Sequence, residues 1–508
     1  MNWFRRLDWR KSLKQAGFPV AEAESLLFGN LDVVNNEDAP WMLSKLANIY
    51  GHTYAIMLGA IPAVVTSDPD DDPTGPEVDV DRAVNIFGAR GERWKRIRTL
   101  SSPALSTQNL KRLYPTAYDS IIKFMEGLRK DAVSQTPVDL HSTINTQCPI
   151  SFCFSRFQRL AYDVISRCCL GRKESIQEND PNLALILKKF SANLSFHKYT
   201  NETFSWCIPE LKGVFATYRN IMNRIYSAFG KPMDPFAQYA QNLKNLVESK
   251  TKSQECYDML QFLKNAEETG WTDYIKENDK RIEMSKEIVL TIRFMSTAGF
   301  DTTSNTLAYL LHMLACKPEE QERLRAEIDS YDEINHDTIQ QMQYLQWSIY
   351  EILRLIPHSS LSVFTTVNFY SILQSRRCVE DCQVNEFLFL RDTHIFFDTW
   401  TLHHDPDIWG SDAEEYRPSR FGDEKTVRQM QSWTPFGVGP RQCIGMRFAL
   451  MELKTVICLI LKQFRIRPIP GKEKVPFIGM KFPQLSATLI VHFTFEQSAS
   501  LVTEQYTL

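Results

Sequence analysis

Phe436-Gly437-Val438-Gly439-Pro440-Arg441-Gln442-Cys443-Ile444-Gly445 sets one cysteine behind a loop punctuated by glycine and ahead of an apolar run. Gly437 and Gly439 permit backbone conformations closed to other residues and let a flat molecule approach the main chain, while Pro440 stiffens the turn before Arg441. Downstream, Met446, Ala449, Leu450, Leu453, Val456, Ile457 and Ile460 recur at the spacing of a buried helical stripe, so a helix is predicted from Ile444 to Phe464. Cys443 then stands at a helix N-terminus, where the macrodipole and unpaired backbone N–H groups favour negative charge. The expectation is a thiol that ionises easily and is a good ligand for iron. Arg441, two residues earlier, can face an acidic group of the same ligand.

The chain of 508 residues, 43% hydrophobic and 12% aromatic, is rich enough in apolar side chains to bury a large core, and no Pro/Gly/Ser-rich linker divides it. One large domain is the reading. A net charge of -3 gives no electrostatic reason to expect nucleic acid. The 11 cysteines form no regular framework, and Cys168-Cys169 and Cys378/Cys382 lack the companion ligands of a zinc site, so a reducing compartment fits best. The N-terminus, Met1 to Lys11, is basic and aromatic without the ~20 consecutive apolar residues that span a bilayer, and reads as an interfacial stretch. Tyr54 to Val65 reads as strand, turn, strand, and alternation from Leu489 to Phe495 predicts a half-buried strand. Helical spacing dominates elsewhere, over Pro318 to Asp329, Thr338 to Ile356 and Glu287 to Cys316. The fold class is therefore mainly α with small β-sheets.

Within Glu287 to Cys316 the run Ala298-Gly299-Phe300-Asp301-Thr302-Thr303-Ser304 is made of mediocre helix formers, so something other than propensity keeps it there. Gly299 leaves room beside the helix, and the hydroxyls can bond to backbone carbonyls and loosen the turn. A small pocket holding an acid and an alcohol is expected. Elsewhere, Glu351 and Arg354 lie three apart on an otherwise apolar helix, which would bury the pair and oblige it to find partners. Trp94 and Arg98, four apart, share another helix face. Lys95 and Arg96 project elsewhere on that helix and read as a solvated basic face.

The pattern Phe-x-x-Gly-x-Arg-x-Cys-x-Gly at Phe436–Gly445 resembles the haem-binding signature of the cytochrome P450 family. Three more motifs follow the family's order: Trp94/Arg98, Ala298–Thr303 and Glu351/Arg354. Local stretches are similar to the microsomal branch that includes vertebrate 3A-type enzymes and thromboxane synthase, and Asp398–His403 resembles nematode members. The resemblance implies a cytochrome P450 fold, with residues 1–18 a basic linker or membrane-proximal segment and 19–508 the haem domain. It implies haem with Cys443 as axial thiolate, a ligand that pushes electron density through iron towards bound oxygen. Phe436, Trp94, Arg98, Arg441 and Arg376 would hold the cofactor, the arginines through its propionates. Asp301 and Thr302 would deliver protons, Phe300 would face substrate, and Glu351, Arg354 and Arg420 would form the network that holds the cysteine loop.

The implied activity is a monooxygenase that inserts one atom of O2 into a lipophilic small molecule (xenobiotic, steroid or fatty acid), with electrons from NADPH through a flavoprotein reductase. It would work at the cytoplasmic face of the endoplasmic reticulum membrane. The same cysteine also fits a haem-thiolate isomerase or dehydratase acting on a ready-made peroxide, and a third reading is a haem-binding member without catalysis. The chain departs from the family in starting near the basic linker that follows a membrane anchor. It also has a short acidic path at 68–81 and extra residues near 148–157 and 363–373.

Overall fold

The computed structural model describes residues 2–23, 28–34, 39–59, 61–68, 86–134, 138–139, 156–177, 235–249, 258–268, 284–358, 374–424, 427–468 and 490–495, with a few positions between 214 and 225. The expected departures over 69–81, 148–155 and 363–373 lie outside the described residues. Long helices carry the mass of the protein. Thr107–Val133, Arg156–Leu170, Met284–Cys316, Gln343–Leu355 and Met446–Gln463 bury their apolar faces in one continuous core.

Two of these helices differ from the sequence reading in instructive ways. The predicted stripe of Met446–Gln463 becomes burial on every side from Met451 to Leu461, so Glu452, Lys454, Thr455 and Cys458 go inside as well. A helix through the middle of the molecule has no solvent face. Burial accordingly holds the Glu452 carboxyl well above its ordinary value. The helix expected over Thr338 to Ile356 divides at Met342, whose backbone is extended, into Thr338–Gln341 and Gln343–Leu355. The Glu327 carboxylate, from the neighbouring helix Pro318–Asp329, accepts from the Tyr344 and Leu345 amides at 2.8 Å each and so caps the new N-terminus.

A smaller layer of sheet flanks the helices. Strands Thr53–Leu58 and Ile61–Thr66 form the expected hairpin, with Thr53 opposite Thr66. Ile61–Thr66 continues parallel to His394–Phe397, which pairs antiparallel with Gln374–Arg377. The C-terminal strand Ile490–Phe495 pairs with Phe464–Pro468. Residues 2–15 form a helix whose Leu13, with Ala16 and Phe18 just beyond its end, packs beneath the four-stranded sheet. Among the described residues no helix is long and apolar enough to cross a membrane.

Candidate active site around Cys443

The loop ahead of Cys443 is built by its glycines. Gly437 has φ 75° and Gly439 φ 67°, conformations that L side chains rarely adopt. The Gly437 amide donates to Thr434 O at 3.0 Å, and residues Gly439–Arg441 make one 3₁₀ turn closed by Gln442 N to Gly439 O at 3.0 Å. Cys443 N then donates to Phe436 O at 2.8 Å, which ties the cysteine back to the start of the loop. Open space lies beside Gly439, where an added Cβ would meet nothing within 4 Å.

Cys443 is exposed, yet enough protein surrounds it for desolvation to dominate its ionisation. The helix proper begins at Met446, three residues later than the cysteine. The amides of Gly445 and Met446 do bond to the sulfur, as expected of a helix N-terminus, and Arg98 adds positive charge. Burial outweighs all three and pushes the thiol up from its ordinary value. The expectation of an easily ionised thiol is thus corrected for the protein alone. A directly bonded metal cation deprotonates a coordinating thiol outright.

Three separate segments meet here. Trp94 and Ile97 of the helix Gly91–Ser101, Phe294 of the helix Met284–Cys316 and Ile444 share one apolar cluster with Ile86 and Ala89. The Arg441 guanidinium lies over the Trp94 ring at 4.5 Å. A stacked guanidinium keeps its N–H fork in its own plane, so stacking and anion binding are compatible. Arg98 Nη1 donates to Gln442 O at 2.7 Å. Burial lowers the Arg98 pKa, and the Cys443 charge opposes that. Phe436 is half-buried, edge-on to Trp433 at 6.2 Å. Arg376 is placed on strand Gln374–Arg377 opposite Ile395, half-buried. Arg93 and Arg96 grip the buried Glu287 carboxylate, at 2.6 Å (Nε) and 2.7 Å (Nη2), so Arg96 belongs to an internal ion pair and only Lys95 stays on the exposed face.

The helix Met284–Cys316 runs unbroken through Ala298–Ser304. Its hydroxyls bond to carbonyls one turn back without interrupting it: Thr302 Oγ1 donates to Ala298 O at 2.8 Å, and Thr306 Oγ1 to Thr302 O at 2.8 Å. Thr306 Oγ1 also lies 2.7 Å from His358 Nε2. The space beside Gly299 is not an open pocket, because Ile165 of Arg156–Leu170 fills it; a Cβ would fall 2.7 Å from Ile165 Cδ1. Phe300, expected at a substrate surface, is instead 1% exposed in the core, edge-on to Tyr162 at 6.2 Å. It occupies the side of the helix that packs on Arg156–Leu170. The accessible stripe runs through Phe294, Ala298, Asp301 and Thr302. Burial raises the Asp301 carboxyl to about 6, against a weaker opposing hydrogen bond from Asn305.

Glu351, Arg354 and Arg420 assemble as expected. Arg354 Nε donates to Glu351 Oε2 at 2.8 Å, and Arg420 Nε to Glu351 Oε1 at 2.8 Å, with Glu351 and Arg354 fully buried. Each arginine also donates to backbone carbonyls, Arg354 to His403 O at 2.7 Å and Arg420 to Trp409 O at 2.8 Å. Two further anchors hold the cysteine loop. Trp433 Nε1 donates to Tyr350 O at 3.1 Å, and Thr434 N donates to His403 Nε2 at 3.0 Å. Neither Trp433 nor His403 was read from the sequence as an anchor, although His403 closes the stretch Asp398–His403, because a lone Trp or His carries no spacing signal until its partner is in place.

A mainly helical domain with a cysteine behind a glycine loop, Arg441 stacked on Trp94, Arg98 bonded to Gln442 O, and an acid and an alcohol on a long helix whose Phe294 packs on the same apolar cluster as Ile444 has the donor set of a haem-thiolate oxygenase. Thiol, guanidinium fork and open glycine face suit iron, propionate and a flat ring in turn. The family pattern described as cytochrome P450 matches residues 19–491, and the chain belongs to that family. It is similar to two Caenorhabditis elegans proteins named as cytochromes P450. CYP13A8 is 28% identical over 481 residues, 86% of this chain and 87% of that one. CYP13A3 is 28% identical over 504 residues, 91% and 90%. Membership makes the protein an oxidoreductase, a haem-thiolate monooxygenase with a redox partner and lipophilic substrates in the general sense of the family.

Proposed function

We propose that Cys443 would ligate the haem iron through its thiolate, that Trp94, Arg98, Arg441 and Arg376 would hold the propionates with Phe436 contributing to the cofactor site, and that Asp301 and Thr302 would hold and move protons for the reaction with oxygen. Bound haem supplies the activation of O2. The single observation that supports this reading most is the apolar cluster of Ile86, Ala89 and Ile97, against which both Phe294 of the Asp301 helix and Ile444 of the Cys443 loop pack. Asp301, with a pKa of about 6, can hold and release a proton near neutral pH. Thr302 gives its own proton to Ala298 O, which leaves its oxygen as an acceptor one residue from that acid.

Proton delivery is needed when oxygen is cleaved and is idle when a ready-made peroxide is rearranged, so the pair favours the monooxygenase over the isomerase reading. Electrons then come from NADPH through a flavoprotein reductase, and the substrate is a lipophilic small molecule such as a xenobiotic, steroid or fatty acid. The working place is the cytoplasmic surface of the endoplasmic reticulum membrane. Reduced, carbon monoxide-bound protein should give the thiolate-type Soret band, and Cys443→Ala should abolish it; a band that survives assigns the ligand elsewhere. With reductase and NADPH, Thr302→Ala should divert electrons into hydrogen peroxide. Rearrangement of an added peroxide without NADPH, with no NADPH-dependent product, would overturn the monooxygenase reading.

A further inference from the structure

His403, at the end of the short helix Thr399–His404, is 0% exposed and joins two parts of the protein already described. The Thr434 amide donates to its Nε2 at 3.0 Å. An amide N–H can only donate, so Nε2 carries a lone pair and the ring proton sits on Nδ1. Nδ1–H therefore donates to Arg354 O at 3.0 Å. Arg354 Nη1 returns a bond to His403 O at 2.7 Å, so the two residues are locked in a reciprocal pair. Burial, with His404 and Arg354 close by, keeps the imidazole neutral. On the other side, Thr434 O accepts the Gly437 amide at 3.0 Å, and Phe436 O accepts the Cys443 amide at 2.8 Å.

We propose that His403 is a positioning residue for the Cys443 thiolate: its imidazole carries the fixed geometry of the Glu351–Arg354–Arg420 cluster across to the start of the cysteine loop. The inference rests on the reading of Cys443 as the axial ligand. Arg354 sits on a rigid buried helix, whereas Thr434 begins a loop held mainly by its own turns. One neutral ring with a donor at one nitrogen and an acceptor at the other spans the two. A side chain lacking the acceptor leaves a buried amide unpaired, and the loop must shift to rehydrate it.

Two substitutions separate the arms of the ring. In His403→Gln the amide oxygen can take the place of Nε2 and still accept from Thr434, while the main-chain carbonyl of residue 403 still accepts from Arg354 Nη1, so the link to the cluster survives. In His403→Asn the amide nitrogen can take the place of Nδ1 and bond to Arg354 O, but nothing reaches Thr434. Holoprotein of each is reduced, bound to carbon monoxide and scored for the fraction of bound haem with the thiolate-type Soret band, alongside the thermal midpoint. The expected result is retention of the band in Gln and its loss to the band of haem without thiolate in Asn. Equal retention in both, with only the midpoint lowered, would overturn the proposal by making His403 an ordinary core residue. Loss of the band in Gln would overturn it too, and that measurement decides alone if the Asn variant fails to accumulate. Absence of the band in the unaltered protein would instead remove the assignment of Cys443 on which the proposal rests.

Discussion

Asp301 shows how environment raises the proton affinity of an ordinary side chain. Burial lifts it from 3.8 to about 6, so the native protein binds its proton more tightly than the unfolded chain does. Its contribution to stability is full below pH ~4 and is lost as pH rises through about 6. Asp301→Asn, which cannot titrate, should remove this part of the pH dependence: denaturation midpoints measured between pH 4 and 7 should fall less steeply than in the parent protein. The same change should slow NADPH-dependent product formation by ~10²-fold, the size of general acid catalysis, while substrate-binding difference spectra stay unchanged. An unaltered turnover rate would take Asp301 out of the proton path.

At the scale of elements, Gly299 is where Ile165 of Arg156–Leu170 packs closely against Met284–Cys316. Glycine in a helix interior costs about 1 kcal/mol relative to alanine, so its presence calls for a packing reason, and Ile165 is that reason. Gly299→Ala should be close to neutral, because the propensity gain offsets a small shift of the flexible Ile165 tip. Gly299→Val should cost about 1–3 kcal/mol from overpacking, and Ile165→Ala in the same chain should recover part of it, both read by urea unfolding. Additive losses in the double variant would show that the two side chains do not compete for one space. The helices themselves were legible from apolar spacing, but their interruptions were not. The break at Met342 goes with Glu327 reaching over from a neighbouring helix, and the run through Ala298–Ser304 stays helical although its hydroxyls bond back to their own turn.

For the molecule as a whole, the sheet layer and the cysteine loop rest on separate apolar clusters. Leu13, Ala16 and Phe18 lie with Val20, Ala55, Val64 and Ile395 under the four-stranded sheet, apart from the cluster that holds Trp94 and Ile444. Removal of residues 1–18 should therefore weaken the sheet layer. Two large buried side chains, Leu13 and Phe18, at about 1.5–3 kcal/mol each give ~3–6 kcal/mol as an upper bound. Chemical denaturation of the shortened chain measures the loss. The carbon monoxide spectrum of the fraction still folded should be unchanged, and a lost thiolate band there would show that the two cores are coupled.

The helical class and the cysteine loop were legible because spacing and glycine positions are local properties that one chain displays openly, whereas the resemblance to the cytochrome P450 family was needed to group Trp94, Arg98, Asp301, Thr302, Glu351 and Arg354 in one motif set. Only the tertiary structure decided what those residues face. Phe300 turned into the core, Arg96 was claimed by Glu287, and His403 became the strut between Arg354 and Thr434. The ionisation of Cys443 was decided there as well: a helix N-terminus favours the thiolate locally, but desolvation by the surrounding protein opposes it, and desolvation is the larger effect.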